Sequence, residues 1–258
     1  WLEAMRNCQL MDNFTTEKTR IALTSYYGLV SFMDDLIGKI LAAVKSLELE
    51  GSTQIIYTSD HGDNIGERDL WGKSNFYEES VGIPLIMAGP DIPVSKVCQT
   101  PVSLIDIYPT ILDTANLSVE SRKPGRSLTK IANEQDNNDR VIFSEYHAMG
   151  SKSGGFMIRK GRWKYVHYVG MRPQLFDLES DPEEMSDQGE KQEFADVTQN
   201  LEAELRLICN PETVDKNAKL DQMEIIELNG GAEAVVKKGG FGATPPPGVN
   251  PEYASTES

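Results

Sequence analysis

The sequence of 258 residues holds few cysteines, and those few argue against a disulfide framework. Cys8, Cys98 and Cys209 are odd in number and far apart along the chain. Disulfide-rich domains and structural zinc or iron–sulfur sites place cysteines in even numbers or in close pairs. We therefore expect three separate thiols that pack as small apolar side chains.

Positive charge and long apolar runs are also scarce. Lys and Arg total 25 against 40 Asp and Glu, which gives a formal net charge of −15. Nucleic acids and anionic membrane surfaces attract clustered cations, so both are disfavoured as partners. No apolar run approaches the ~20 residues that cross a bilayer. An anionic substrate would have to be held locally, by a metal ion or by a suitably placed Lys or Arg.

The remaining composition is that of a soluble globular protein, with 39% hydrophobic and 25% charged residues. The sequence starts at Trp1 rather than at Met, and residues 1–13 have the character of mid-protein sequence. We expect the natural N-terminus, with any targeting signal, to precede Trp1. The localisation is therefore left open between cytoplasm and periplasm.

The first half of the chain alternates helical and strand patterns. Apolar residues recur at helical spacing over residues 16–46, and Gly51 follows as a stop signal, which predicts one long amphipathic helix. The short apolar run 54–59 comes next and favours a buried parallel strand. Residues 83–88 predict another strand, and residues 104–115 predict a helix restarted at Pro109. The predicted fold class is α/β, with part of a mixed, mainly parallel sheet flanked by helices.

The second half has a different character. Four short strand-like runs separated by turns predict an antiparallel meander, at residues 141–146, 155–159, 163–169 and 174–178. Helical spacing returns at residues 194–208, so a small antiparallel β subdomain with a C-terminal helix is expected. We divide the chain into an α/β part at 1–139, this subdomain at 140–238 and an extended Gly/Pro-rich tail at 239–258.

The most informative stretch is Thr58-Ser59-Asp60-His61-Gly62-Asp63. Asp60 and His61 fall at the carboxyl end of a predicted strand, the edge where open α/β sheets bind ligands. A carboxylate and an imidazole on adjacent residues can turn toward one cation, and Lys73 could bring an ammonium to an anion there. The same residues could equally cap a turn, with Asp60 accepting from backbone amides and His61 packed. The residues alone leave both interpretations open.

Other charged residues carry weaker signals. His147 could reach a substrate pocket, although a structural role is the stronger expectation. Glu67 and Arg68 are expected to brace the loop through charge pairs. The acidic run 179–184 is expected to be a turn with a solvated face rather than a cation site.

Four blocks of the sequence carry a resemblance to a known family, and they occur in that family's order. The segment SDHGDNIGERDLWGKSNFYEESVGIPLIMAGP (59–90) resembles a hallmark segment of the sulfatases of the alkaline-phosphatase superfamily. The helix YYGLVSFMDDLIGKIL (26–41), GRWKYVHY (161–168) and QLFDLESDPEEMSD (174–187) resemble the blocks before and after it. The branch of choline-sulfatases and phosphonate-ester hydrolases looks closest, because it favours Asp-His at the metal pair.

This resemblance implies a fold and a chemistry. The fold would be the C-terminal half of an α/β catalytic domain followed by the family's small subdomain. Asp60 and His61 would be two ligands of a divalent cation, usually Ca²⁺ in sulfatases and Mn²⁺ in some phosphonate hydrolases. Lys73 would contact the sulfate oxygens and the leaving-group side of the ester, so it would be both catalytic and substrate-binding. The nucleophile would be a formylglycine made from Cys or Ser.

The sequence also departs from the family. It contains no Cys/Ser-x-Pro-x-Arg motif, and the paired N-terminal aspartates of the cation site are absent. Asp34-Asp35 lie within the helical pattern and are expected to be ordinary helix residues. Two ligands leave a hard cation under-coordinated, so weak metal affinity and no activity are expected of this chain alone.

Three functions therefore stay open. The parent protein is expected to hydrolyse a sulfate ester of a small organic molecule. The first alternative is a phosphonate monoester or phosphodiester hydrolase, and the second is a non-catalytic fragment or pseudoenzyme that acts as a binding module. The Gly/Pro-rich tail is compatible with packing on a neighbouring subunit, which leaves a homo-oligomer open.

Overall fold

A computed structural model describes residues 1–3, 15–118, 124–148 and 150–239. The helices are α1 (Thr16–Ser46), α2 (Glu78–Val81), α3 (Ile107–Thr114), α4 (Leu128–Asn133), α5 (Ala195–Ile208), α6 (Pro211–Leu228) and α7 (Gly231–Lys238). The strands are β1 (Ile55–Thr58), β2 (Asn64–Ile65), β3 (Trp71–Gly72), β4 (Leu85–Ala88), β5 (Val141–Tyr146), β6 (Gly155–Lys160), β7 (Trp163–Tyr168) and β8 (Gln174–Asp177). The α/β class predicted from the sequence is confirmed.

Helix α1 has the bounds that its apolar periodicity predicts. The hydroxyl of Thr15 caps its N-terminus by accepting a hydrogen bond from the amide of Lys18 at 3.3 Å. Glu48 takes a positive φ of 56° just beyond its end, so the helix stops before Gly51. No residue of α1 is fully buried, and large apolar side chains such as Leu29, Phe32 and Ile40 are exposed. The apolar stripe of this helix is therefore largely uncovered.

Strands β1 and β4 form an antiparallel pair, with Ile55 opposite Ala88 and Thr58 opposite Leu85. A strand is present in residues 54–59, but the prediction that it is parallel is wrong, because it pairs antiparallel with β4. Parallel strands need a long crossover, usually a helix, whereas residues 59–84 hold a short hairpin and the one-turn helix α2. Every strand pairing among the described residues is antiparallel. The sheet is thus not mainly parallel in this part of the chain.

Strands β5, β6, β7 and β8 form one antiparallel sheet in sequence order, which confirms the predicted meander. One face packs against α5, where Leu201 and Leu205 are buried. The opposite face contributes Met157, Val166 and Tyr168 to a buried cluster with Phe76. A second cluster joins Leu70 and Tyr77 to Phe176 of β8. The sheet therefore supports the segment that follows β3, because Phe76 and Tyr77 anchor that segment on the face opposite α5.

The chain divides into two compact units, Trp1–Cys209 and Asn210–Ser258. The described part of the second unit consists of α6 and α7. Boundaries at 139/140 and 238/239 stay predictions, and the predicted tail, apart from Gly239, lies outside the described residues. Cys98 and Cys209 form no disulfide, whereas Cys8 lies outside the described residues. None of the described helices combines the length and apolar character needed to span a membrane.

Candidate active site

Asp60 and His61 lie directly after β1, where the sequence places them. Asp60 is highly exposed, with 82% of its side chain accessible, and its Oδ1 accepts the backbone N–H of His61 at 3.1 Å. Its Oδ2 lies 3.4 Å from Nε2 of His61. The carboxylate therefore caps the turn and also directs an oxygen toward the imidazole. The two interpretations of Asp60 left open by the sequence, turn cap and cation ligand, are compatible.

The backbone selects the tautomer of the neutral His61 ring. Nδ1 lies 2.8 Å from the carbonyl oxygen of Gly62, and a carbonyl oxygen can only accept a hydrogen bond. Nδ1 therefore carries the hydrogen of the neutral ring, and Nε2 keeps its lone pair. Metal-binding histidines are commonly fixed by a hydrogen bond from the other ring nitrogen in this way. The His61 Nε2 is thus prepared to coordinate a cation or to accept from an ammonium.

Lys73 reaches His61 because a short hairpin turns the chain back. Strands β2 and β3 pair antiparallel, with Asn64 opposite Gly72, so Lys73 returns to the start of the hairpin. Its Nζ lies 2.5 Å from Nε2 of His61. The structure therefore brings together three of the candidate residues that the sequence singles out, Asp60, His61 and Lys73.

Two side chains hold the hairpin in shape. Asn64 is fully buried, and its amide donates to the carbonyl of Gly72 at 2.8 Å. Arg68 pairs with Glu79 at 2.7 Å, and its guanidinium lies 4.0 Å from the ring centroid of Tyr77. The prediction that Arg68 braces the loop is confirmed. Glu67 contributes locally, since its carboxylate accepts the N–H of Ile65 at 2.9 Å.

Gly62 and Gly66 serve different purposes in this loop. Gly66 has a φ of 118°, a conformation that a side chain disfavours. Gly62 instead lies against α2: its N–H donates to the carbonyl of Ser80 at 2.8 Å. A Cβ built on Gly62 would lie 2.2 Å from the carbonyl oxygen of Glu79, so no other residue fits without a shift. The loop carrying Asp60 and His61 is thus in direct backbone contact with α2.

Asp60, His61 and Lys73 line one cavity of about 890 Å³. Its wall also includes Tyr146 and Arg159 of the antiparallel sheet. The cavity is large enough for a small organic ester. The antiparallel sheet therefore contributes directly to the wall of the candidate site.

His147 takes a different position from the other candidates. Its ring packs edge-on against Phe156 at a centroid distance of 5.2 Å, and its Nε2 lies 3.4 Å from Glu145. Glu145, Tyr146 and Ala148 line the cavity, whereas His147 is not among the described lining residues. Its packing favours a structural role, and substrate binding by His147 stays a prediction.

The acidic run 179–184 contains a residue that the sequence does not mark as buried. Glu184 is 3% exposed and lies 2.7 Å from Nζ of Lys164, a lysine with no exposed surface. Burial raises the pKa of Glu184, against the opposing effect of Lys164. The expectation of a wholly solvated acidic face is therefore wrong at Glu184. The partner is 20 positions away and appears in no local pattern.

The other acidic residues of this turn act as local caps. Asp181 accepts the backbone N–H groups of Met185 and Ser186. Asp177, at the end of β8, is held by Arg162 and by the hydroxyl of Ser180. The hydrogen bond from Arg162 is the main cause that lowers the Asp177 pKa to about 2. These contacts make the turn a rigid extension of β8.

The donors in the loop fit part of a divalent cation site. Asp60 offers a carboxylate oxygen and His61 a lone pair at Nε2, 3.4 Å apart. Among the described residues, no group of three or more His, Cys, Asp or Glu side chains could hold a metal ion. Hard divalent cations take six or more ligands, so these two residues can supply only a part of the coordination shell.

Comparison with known proteins places these features in a family. Residues 9–117 match the family described as Sulfatase, and residues 66–210 match the family described as N-sulphoglucosamine sulphohydrolase, C-terminal. The second match spans more than half of the chain and includes Lys73 and the whole antiparallel sheet.

Individual relatives agree with this assignment. Arylsulfatase K of Mus musculus is 35% identical over 216 residues, which cover 80% of this chain and 38% of that protein. Choline-sulfatase of Rhizobium meliloti (strain 1021) is 36% identical over 190 residues, which cover 72% of this chain and 37% of that protein. The crystal structure of phosphonate monoester hydrolase of Agrobacterium radiobacter superposes with a TM-score of 0.66 at 26% identity, covering 75% of this chain and 42% of that one.

The chain spans less than half the length of these relatives. Its matched region nevertheless contains the Asp60–His61 loop, the hairpin that returns Lys73 and the antiparallel sheet. The chain belongs to the sulfatase family, and residues 66–210 correspond to the C-terminal region of that family.

Proposed function

We propose that this chain supplies one side of the active site of a sulfatase that hydrolyses a sulfate ester of a small organic molecule. One observation carries the proposal: Nζ of Lys73 lies 2.5 Å from Nε2 of His61, and Oδ2 of Asp60 lies 3.4 Å from the same nitrogen. A cation-binding pair and an ammonium at one cavity wall can together hold a sulfate group. This local positive site offsets the repulsion that a chain of net charge −15 exerts on an anion.

Each residue has a separate role in the proposal. Asp60 and His61 hold a divalent cation, with Ca²⁺ as the first candidate and Mn²⁺ as the second. The cation, when bound, supplies Lewis-acid stabilisation of negative charge on the sulfuryl oxygens. Lys73 donates hydrogen bonds to the sulfate and to the leaving-group oxygen, where charge develops as the ester bond breaks.

The nucleophile is not encoded in this sequence. Sulfatases as a family depend on a metal and on formylglycine, whereas the 258 residues contain no Cys/Ser-x-Pro-x-Arg motif. We therefore expect no turnover of sulfate esters by this chain alone, and turnover by the complete protein that contains it. Assays of both with an aryl sulfate test this expectation directly.

The Lys73→Ala substitution in the complete protein tests the proposed catalytic role. Loss of a charged donor at the reacting group should lower kcat by about 10²–10³-fold, the range found when one such donor is removed. Lys39→Ala is the matched control, because Lys39 is an exposed lysine on α1. Equal kcat values for Lys73→Ala and the unmodified protein would remove Lys73 from the mechanism.

A phosphonate monoester or phosphodiester hydrolase is the second candidate. It is supported by the structural likeness to the phosphonate monoester hydrolase of Agrobacterium radiobacter. Both functions need a cation and an ammonium beside a tetrahedral anionic group, so the residues above serve either. The ratio of kcat/KM for an aryl sulfate to that for an aryl phosphonate separates them. A ratio above one supports the sulfatase, and a ratio below one supports the phosphonate hydrolase.

A complete protein that turns over neither ester would support the non-catalytic alternative. Calcium titration calorimetry then gives independent information on the loop. Asp60→Asn should abolish the weak binding by this chain, whereas Asp35→Asn, at an exposed helix position, should leave it unchanged.

A further inference from the structure

Two cations lie side by side on the face of the antiparallel sheet that supports the candidate site. Arg159 of β6 and Lys164 of β7 are directly opposite each other in the strand register. Lys164 has no exposed surface, and like charges placed opposite on neighbouring strands destabilise a sheet. A buried ammonium also needs partners to replace its water. Lys164 therefore requires a carboxylate from outside the sheet, and a further carboxylate would offset its repulsion with Arg159.

Two glutamates supply these carboxylates. Oε1 of Glu78 lies 2.8 Å from Nζ of Lys164, and its Oε2 lies 3.5 Å from Nη1 of Arg159. Oε1 of Glu184 lies 2.7 Å from the same Lys164 nitrogen. The other oxygen of Glu184 accepts the backbone N–H of Glu78 at 2.6 Å. Two positive and two negative groups thus balance, and Glu184 binds both the side chain of Lys164 and the first amide of α2.

This cluster is connected to the candidate site through the backbone of α2. Glu78 is the first residue of α2, and Ser80 in the same helix accepts the N–H of Gly62 at 2.8 Å. Gly62 has no space for a side chain against the carbonyl of Glu79. A shift of α2 would therefore move the backbone immediately after Asp60 and His61. Lys164 itself lies in the sheet, and among the contacts described for it those with Glu78 and Glu184 lead to the loop.

We propose that Lys164, with Glu78 and Glu184, forms a positioning cluster that fixes α2 on the antiparallel sheet and thereby sets the place of the Asp60–His61 loop relative to Lys73. Lys164 is a positioning residue rather than a catalytic one. The structural part of the proposal is independent of the reaction. Its kinetic consequence rests on the proposed sulfatase function.

Hydrogen exchange of this chain tests the structural part. Lys164→Met removes the charge with little change of length, and the Gly62 amide should then exchange about tenfold faster or more, through local opening against α2. Lys160→Met is the matched control, because Lys160 pairs with Glu204 of α5 on the other face of the same sheet. It should leave the Gly62 amide unchanged. Unchanged Gly62 exchange in Lys164→Met, with the sheet amides still protected, would overturn the proposal.

If Lys164→Met unfolds the sheet, a second variant that removes one charge of each sign tests the proposal. Lys164→Met combined with Glu184→Gln removes one cation and one anion, and leaves Glu78 facing Arg159. The sheet amides of Met157 and Val166 should stay protected while Gly62 exchanges faster. If the sheet unfolds here as well, the cluster is a folding determinant and the positioning role is wrong.

Turnover by the complete protein tests the kinetic part. Lys164→Met should lower kcat by about tenfold with KM for the sulfate ester changed little, since the loss is in alignment rather than in ground-state binding. Faster Gly62 exchange in a protein without any sulfatase activity would keep the positioning role and reject the proposed function. Faster exchange with unchanged kcat would limit the cluster to a structural role.

Discussion

Gly62 shows how one hydrogen atom in place of a side chain can decide the geometry of a site. Its Cα faces the carbonyl of Glu79 so closely that a Cβ would lie 2.2 Å from the oxygen. Gly62→Ala should therefore push the loop away from α2 and destabilise the fold by about 1–3 kcal/mol, the usual cost of overpacking. Urea unfolding and the His61 ring resonances would measure both effects. Gly38→Ala in α1, where a Cβ meets open space, should instead be neutral or stabilising.

The lowered pKa of Asp177 predicts how the stability of the fold depends on pH. Its folded-state pKa is lowered from 3.8 to about 2, first by the hydrogen bond from Arg162. A lowered carboxyl pKa stabilises the fold above the unfolded-state value, and this contribution is lost as pH falls from about 4 to about 2. Asp177→Asn should cost about 1 kcal/mol at neutral pH, because solvent screens the partly exposed Arg162. The difference from the unmodified chain should shrink at pH ~3 in urea titrations.

Glu179→Gln is the control for the pH prediction. Glu179 also pairs with Arg162, at 3.1 Å, but its side chain is 71% exposed. An exposed ion pair contributes little to stability. At each pH, Glu179→Gln should therefore unfold at nearly the same urea concentration as the unmodified chain. An equal loss of stability in both variants would show that the Asp177–Arg162 contact contributes no more than the exposed Glu179–Arg162 pair.

The candidate site was predictable at the residues whose signal is local. Asp60 and His61 follow an apolar strand directly, and the surrounding blocks resemble a known family, so both could be named from the sequence. Glu184 could not, because its partner Lys164 is 20 positions away on β7. The contact of Gly62 with α2 also depends on tertiary packing, so the neighbouring sequence gives no sign of it.

The β2–β3 hairpin is the element that brings Lys73 to His61. Its closure depends on buried Asn64, whose amide donates to the carbonyl of Gly72. Asn64→Ala should cost about 1–3 kcal/mol, because the partly buried carbonyl of Gly72 loses its partner. In the complete protein it should also lower kcat, since Lys73 then loses its fixed position.

A double-mutant cycle separates these two effects. If Asn64 acts on turnover through Lys73, Asn64→Ala combined with Lys73→Ala should be no slower than Lys73→Ala alone. Fully additive losses in kcat would indicate that Asn64 affects the site by another route. Unfolding measurements on the same variants would report the stability cost independently of turnover.

Elements were predicted better than their pairing. The bounds of α1 and the order of β5 to β8 follow from periodicity and turn spacing, which are properties of the neighbouring sequence. The antiparallel orientation of β1 relative to β4 does not follow from the neighbouring sequence, because an apolar run has the same composition in a parallel and in an antiparallel strand. The connecting segment decides the direction, and its short hairpin was not recognised as one.

At the scale of the whole molecule, the apolar stripe of α1 stands out because its large apolar side chains are exposed. Leu29, Phe32, Met33 and Ile40 are each half exposed or more. A contiguous exposed apolar patch marks a surface that another protein segment covers, and the relatives are more than twice as long as the matched region. We therefore expect this chain alone to bind an apolar fluorescent dye or to self-associate, and the complete protein to do neither.

Substitutions can locate that surface. Leu29→Glu with Phe32→Glu should reduce dye fluorescence and self-association, measured by analytical ultracentrifugation. Leu207→Glu is the control, because Leu207 is 83% exposed and lies on a different helix, α5. Equal reduction by the control would place the dye elsewhere, and an absence of dye binding would contradict the prediction.

The hairpin also sets where the chain can tolerate changes in length. The ladder fixes Gly72 opposite Asn64, so the position of Lys73 depends on this pairing and not on the number of residues in the connecting loop. Insertions between Ile65 and Trp71 should therefore leave this pairing in place, but they would displace Arg68 from Glu79 and the buried Leu70 from its cluster. One residue added between Gly72 and Lys73 would turn the ammonium to the opposite side of the strand. In the complete protein, a change in length at the base should accordingly lower turnover, whereas a change at the tip should lower stability.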